Sequence, residues 1–176
     1  MLTPPPNRIP FTRGVLTRVR VENAEEFEAA VAANVAHLRD WVPWAEDPEG
    51  RHLRTGGAEA DWAAGVSYLY AVRPDIDGPI IGGLGLYRRV GDGSIEIGYW
   101  LDAAHTGTGL ATSAVKALTG AALALPDVTR VEIHTDEANQ SSAAIPQRLG
   151  YRLVRVDTVV ARTAAETGRL QVWITP

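Results

Sequence analysis

SIEIGYWLDAAHTGTGLATSAVKALTGAALALPDVTRVEIHTD, residues 94–136, decides the architecture. SIEIGYWLD reads as a strand. After the bare turn HTGTG, residues Leu110, Val115, Leu118, Ala122 and Leu125 fall on one side of a helix that stops at Pro126. RVEIHTD reads as a second strand. Strand, helix and strand in succession form a crossover, which places helices against the face of a sheet.

Upstream, SYLYAVRP and PIIGGLGLYRR are strands that RPDIDGP and VGDGS separate from each other and from SIEIGYWLD, which predicts an antiparallel meander. GVLTRVRV is a further strand. Asn23 and Glu26 have capping-box spacing, and Phe27, Val31, Val35, Leu38 and Val42 then recur at helical intervals until Pro43. A short helix is expected over Ala58 to Ala64. Downstream, SAAIPQRLG is a helix and YRLVRVDTVVA and RLQVWIT are strands. MLTPPPNRIP, with four prolines in ten residues, predicts a flexible arm over residues 1–10, so that residues 11–176 form a single domain. The fold class is α/β: a mixed sheet with helices on both faces.

Composition excludes several functions. Hydrophobic residues make up 45% of the 176, enough for one sizeable core. With 21 acidic and 17 basic residues the formal charge is -4, which gives no electrostatic basis for non-specific nucleic-acid binding. There is no cysteine, hence no disulfide framework or thiolate nucleophile, and the four histidines lack metal-ligand spacing. No run is long enough to span a membrane and no signal peptide is visible, so the expected location is cytoplasmic.

The turn at residues 105–112 carries the first chemical signal. A helix that starts at a glycine turn directs unsatisfied N–H groups and the positive end of its dipole outward, which suits phosphate. Gly107 and Gly109 would admit an anion close to the backbone, and Thr108 and Thr112 offer hydroxyl donors. The same pattern also begins ordinary helices.

EIGYWLDAAHTGTGLATSAV, NQSSAAIPQRLGY and HLRDWVPWA together resemble the GNAT acyltransferase superfamily, in its branch of ribosomal-protein N-terminal acetyltransferases (RimJ/RimL-like), over nearly the whole chain after residue 10. The resemblance implies a central seven-stranded, mostly antiparallel mixed sheet, splayed between its fourth and fifth strands. It also implies transfer of an acetyl group from acetyl-coenzyme A to a primary amine. Gly109 and Ala111 match the family's (Q/R)xxGx(G/A) pyrophosphate pattern, whereas Thr106 stands where glutamine or arginine is usual. By that resemblance the amides from Gly107 through Thr108, Gly109, Leu110 and Ala111 to Thr112 hold the pyrophosphate. The main chain of Tyr99, Trp100 and Leu101 pairs with pantetheine, with Gly98 easing the bend.

Acetyl transfer requires a neutral amine. An α-amine of pKa about 7.7–8 is neutral in roughly one molecule in ten at pH 7, and a lysine in far fewer. Glu96, beside the proposed cofactor strand, is the candidate base, acting directly or through a water. Asn139 and Ser142 match the branch's NxxS motif. Ser142 is the candidate proton donor to the departing sulfur, with Asn139 capping the next helix or touching the cofactor. Pro146 has no N–H, so the Ser142 carbonyl loses its helical partner. Trp41 and Trp44, with His37, match HLxxWxPW and are candidates for the acceptor pocket. His105 and His134 receive no role. A triad from Ser113, His134 and Asp136 lacks a nucleophile elbow.

Two rivals stand beside this reading. GTGLAT approaches a dinucleotide fingerprint, but Thr112 replaces its third glycine and five residues separate Leu101 from Gly107. A non-catalytic acyl-coenzyme A sensor would keep the cradle without needing Glu96 and Ser142. The acceptor is a protein N-terminal α-amine first and a small-molecule amine or antibiotic second. No metal is implied, and a homodimer, frequent among relatives, is left open.

Overall fold

The computed structural model describes residues 3–176. One sheet holds eight strands in the order β1-β2-β3-β4-β5-β6-β8-β7. They are β1 (Arg8–Phe11), β2 (Gly14–Arg18), β3 (Ser67–Arg73), β4 (Gly82–Tyr87), β5 (Ser94–Leu101), β6 (Arg130–Asp136), β7 (Arg152–Thr158) and β8 (Arg169–Ile174). All neighbours are antiparallel except β5 and β6, the pair joined by the crossover. That parallel ladder is short. It runs through Ser94↔Arg130, Ile95↔Val131 and Glu96↔Glu132, after which the strands part.

The sheet has one strand more than the seven expected, and the addition lies in the stretch read as a flexible arm. β1 pairs with β2 from Arg8↔Thr17 to Phe11↔Gly14. Proline is tolerated there because β1 is an edge strand. The Tyr70 phenol donates to the Pro6 carbonyl at 2.8 Å, the Arg18 N–H donates to the Asn7 carbonyl at 2.9 Å, and Ile9 is buried.

The first helical stretch differs from expectation. α1 spans Val21–Ala33 and α2 Val35–Leu38, with Asn34 between them. The Arg20 N–H donates to Asn23 Oδ1 at 2.8 Å, so Asn23 caps from inside the first turn, not from the N-cap. Asn34 is buried, and its amide nitrogen donates to the Ala30 carbonyl (3.0 Å) and the Asp102 carboxylate (3.2 Å). Its Oδ1 accepts the Ala103 N–H at 3.0 Å. A polar side chain in a core position thus ends α1 and ties it to the loop after β5. Pro43 opens a 3₁₀ turn, Pro43–Ala45. Pro48–Gly56 is helix α3, with proline at its tolerated first position.

The remaining helices are α4 (Ala58–Ala64), α5 (Leu110–Leu123) and α6 (Gln140–Arg148). Strand alternation distributes the side chains between the faces. On one face Ile95, Ile97, Val131 and Ile133 pack with Leu110, Val115 and Leu118 of α5. On the other, Trp100, Leu69 and Ala71 pack with Phe27 and Val31 of α1, and the rings of Phe27 and Trp100 meet edge to face at 5.6 Å. Glu96 and Glu132 alternate with the α5-side residues, so both carboxylates lie on the α1 face.

Candidate active site

Where β5 and β6 separate, residues 97–101 remain paired to β4 on one edge and face a slot on the other. Three elements close on that slot: the start of α5, the start of α6 and the end of β6. Main-chain groups of Tyr99, Trp100 and Leu101 therefore border it beyond the last pairing with β6.

The start of α5 fits an anion. Gly109 is the N-cap at φ 80°, Gly107 has φ 72°, and a Cβ built on either meets nothing within 4 Å. The first helical bond runs from the Ser113 N–H to the Gly109 carbonyl at 3.1 Å, so the N–H groups of Leu110, Ala111 and Thr112 point out of the helix. Thr108 differs from expectation. Its hydroxyl donates to the His105 carbonyl, as that of Thr106 does to Ala103, both at 2.8 Å, so these hydroxyls brace the turn. A cation arrives from elsewhere: the Arg13 guanidinium, on the β1–β2 turn, donates to the Thr108 carbonyl.

Asp102 supports the same loop. Burial would raise its carboxyl, but donors from Ala104, Asn34 and His105 outweigh this and hold it below the usual range.

At the start of α6, Asn139 Oδ1 accepts the Ser142 N–H at 3.1 Å, the capping role expected of it. Ser142 Oγ donates to the Tyr99 phenol oxygen at 2.9 Å, and that phenol donates to the Ser142 carbonyl at 2.9 Å. The carbonyl deprived of its helical donor by Pro146 is thereby satisfied from β5. Burial raises the Tyr99 phenol above its ordinary value, with the Ser142 hydrogen bond opposing, so it stays a neutral donor.

On the α1 face Glu96 is only 6% exposed. Both its oxygens accept from Arg89, from Nε at 2.7 Å and Nη2 at 2.6 Å. This pair in turn raises Arg89 above the normal arginine value. The motif pattern offered no sign of Arg89, which lies outside β4 in the turn before β5. His134 on β6 faces Glu96 across 3.9 Å and contacts Glu132 at 2.8 Å.

A cleft open to solvent joins Glu96, Tyr99, His134, Asn139 and Ser142 to an aromatic wall. Trp41 and Trp44 both line it, whereas His37 is exposed and lies outside the residues bordering the cleft. Tyr87 completes the wall, and its ring occupies the space beside Gly98, where a Cβ would approach it to 3.2 Å. Gly98 therefore makes room for a ring. The Arg54 guanidinium stacks 4.5 Å from the Trp44 ring centre and 5.2 Å from that of Tyr87. Among the described residues no cluster of three His, Cys, Asp or Glu side chains is placed to hold a metal ion, and no helix is long and apolar enough to cross a membrane.

The arrangement brings together a helix start with outward N–H groups, an unpaired strand edge, a hydroxyl pair and a buried carboxylate. "Putative ribosomal N-acetyltransferase YdaF" of Bacillus subtilis (strain 168) is 27% identical over 134 residues, which cover 74% of this chain and 73% of that protein. The solved structure of RimL, a ribosomal L7/L12 α-N-protein acetyltransferase in complex with coenzyme A, superposes with a TM-score of 0.82 at 20% identity, over 96% of this chain and 97% of that one. The microcin C7 self-immunity acetyltransferase MccE, in complex with acetyl-CoA and AMP, gives 0.80 at 17% identity over 93% and 92%. Residues 13–152 match the model of the acetyltransferase (GNAT) domain, and the chain belongs to that family.

Proposed function

We propose that this acetyltransferase moves the acetyl group of acetyl-coenzyme A directly to a primary amine within a ternary complex, and that its first acceptor is a protein N-terminal α-amine. The observation that carries the reading is the parting of β5 and β6 after Glu96↔Glu132. It opens one continuous path from the α5 amides, along the free edge of residues 97–101, to the cleft that holds Glu96 and Ser142. The α5 amides hold the pyrophosphate and the β5 edge holds pantetheine. Glu96 orders the water through which the acceptor amine loses its proton, since both carboxylate oxygens are already engaged by Arg89. Ser142 turns its hydroxyl from Tyr99 toward the sulfur as the thiolate departs.

The α-amine acceptor rests on the ribosomal-protein acetyltransferases among the relatives and on the larger neutral fraction of α-amines at pH 7. A second reading has its own support. Among the described residues Arg54 forms no ion pair with a carboxylate, and it is held on an aromatic platform in the cleft wall. It suits an acceptor that carries a carboxylate, such as a small amino-acid derivative. Mass spectrometry of products from a mixed library of peptides and small amines decides between them. Acetylated peptide N-termini support the first reading, and products confined to small carboxylate-bearing amines support the second. No product, with acetyl-coenzyme A still bound, would establish a sensor. A homodimer belongs to the same proposal and is tested by light scattering.

A further inference from the structure

Past the last β5–β6 pairing, the next residue that β6 directs to the α1 face after Glu132 is His134. Its side chain is 16% exposed and borders the cleft. Nε2 lies 2.8 Å from Glu132 Oε2, and Nδ1 lies 3.9 Å from Glu96 Oε2. Glu132, 2% exposed, is itself fixed by Arg130, whose Nε donates at 3.0 Å and whose Nη2 lies 2.9 Å away.

The other charged groups in the cleft are already committed. Glu96 is bound at both oxygens by Arg89. Asp136, two residues further along β6, accepts from Ala138, Thr167 and Gly168. Glu166, between β7 and β8, is paired with Arg162, and Arg54 of α3 lies over its aromatic rings. With Nε2–H donated to Glu132, the imidazole keeps a lone pair on Nδ1, 3.9 Å from the Glu96 carboxylate that lines the cleft. Histidine is also the side chain that ordinarily exchanges a proton near neutral pH.

We propose that His134, oriented by Glu132, is the group that receives and stores the proton removed from the acceptor amine, while Glu96 holds the intervening water and faces the resulting imidazolium. This assignment rests on the acetyl-transfer reading above. One ammonium N–H bond breaks and its proton passes through that water to Nδ1. The freed nitrogen lone pair forms the N–C bond at the thioester carbonyl. Collapse breaks the C–S bond, and the surplus proton on the nitrogen passes by way of the Ser142 hydroxyl to the thiolate. His134 then releases its proton through the mouth of the cleft, so each turnover yields an amide, a free thiol and one proton to solvent.

Two measurements test the assignment. In the free protein, a long-range ¹H–¹⁵N spectrum, assigned by the signal lost in His134→Gln, should show neutral His134 protonated on Nε2. The Nδ1–H form would overturn the proposal, and this reading needs no acceptor, so it stands apart from any failure to find acetyl transfer. In kinetics, His134→Gln should lower kcat/KM about 100-fold at pH 7, remove the ascending limb of the pH profile and recover part of the rate with added imidazole. Glu132→Gln should move that limb to lower pH. Glu96→Gln should slow turnover with the limb retained. An unchanged limb in both His134→Gln and Glu132→Gln, or its loss in Glu96→Gln alone, would refute the proposal. Should His134→Gln fail to fold, the direction of the Glu132→Gln shift decides.

Discussion

Tyr99 and Ser142 are joined by two hydrogen bonds of 2.9 Å, the serine hydroxyl donating to the phenol and the phenol donating to the serine carbonyl. The pair couples β5 to the start of α6. It exists because Pro146 supplies no N–H to that carbonyl. Tyr99→Phe leaves the carbonyl without its donor and should cost about 1–3 kcal/mol. Pro146→Ala restores a backbone donor, so in the Tyr99→Phe background it should recover part of the loss. Urea unfolding of the single and double variants checks this, and strictly additive effects would reject the coupling.

Arg89 and Glu96 form a pair that is asymmetric in exposure, the arginine side chain 60% exposed and the glutamate 8%. Removing the cation strands a buried carboxylate, whereas removing both charges does not. Arg89→Met should therefore destabilise the fold by about 1–3 kcal/mol, tempered by water reaching the site. Adding Glu96→Gln should return most of it. Thermal melts of the three proteins provide the comparison.

Gly109 caps α5 with a left-handed backbone that costs other residues about 1–2 kcal/mol. A methyl group there meets no protein atom within 4 Å, so Gly109→Ala should fold and instead intrude on the space beside the amides. The Kd for acetyl-coenzyme A should rise about tenfold by calorimetry, with kcat at saturating donor nearly preserved. Unaltered binding would remove the cradle assignment.

Arg13 supplies a cation to a turn, residues 105–112, that contains no lysine or arginine of its own. Arg13→Ala should weaken coenzyme A binding about three- to tenfold and flatten its dependence on salt. Titrations at two ionic strengths test both effects, and an unchanged salt dependence would confine Arg13 to bracing the turn.

Asp136 pins the end of β6 to the residues before β8. Burial pushes its carboxyl up, but the N–H groups of Ala138, Thr167 and Gly168 and the Thr167 hydroxyl win and hold it below the usual range. A depressed folded-state value stabilises the fold above the unfolded carboxylate value, roughly pH 3.9, and the contribution disappears as pH falls through the folded value. Asp136→Asn should be less stable at pH 7, with the gap to the wild type closing in acid. A gap that persists unchanged at pH 2 would contradict the linkage.

The sequence made the crossover legible because its helix has an unbroken apolar side and clear stops at glycine and proline. Seven strands stood out by alternation or apolar content, whereas β1 was hidden by prolines that only an edge position accommodates. The break at Asn34 was equally hidden, since its cause is a partner 68 residues away, Asp102. The site divides the same way. Glu96, Ser142 and the glycine turn lie in local patterns, and the orphaned Ser142 carbonyl followed from Pro146 alone. Arg89, Arg13, the Tyr99 hydroxyl and the Glu132–His134 pair acquire meaning only when distant strands become neighbours. His37 illustrates the reverse, a motif residue that helix geometry turns to solvent.

The position of β8 has a consequence for biogenesis. It lies between β6 and β7, although it follows both in the chain. On its β8 side, β6 pairs from Glu132↔Ile174 to Asp136↔Leu170, so the strand carrying His134 has an open edge until residues 170–174 leave the ribosome. A nascent chain stalled before residue 169 would thus hold the α5 turn and β5 yet lack the clamp on β6. Competence to acetylate should emerge abruptly, once residues 170–174 are free to pair with β6.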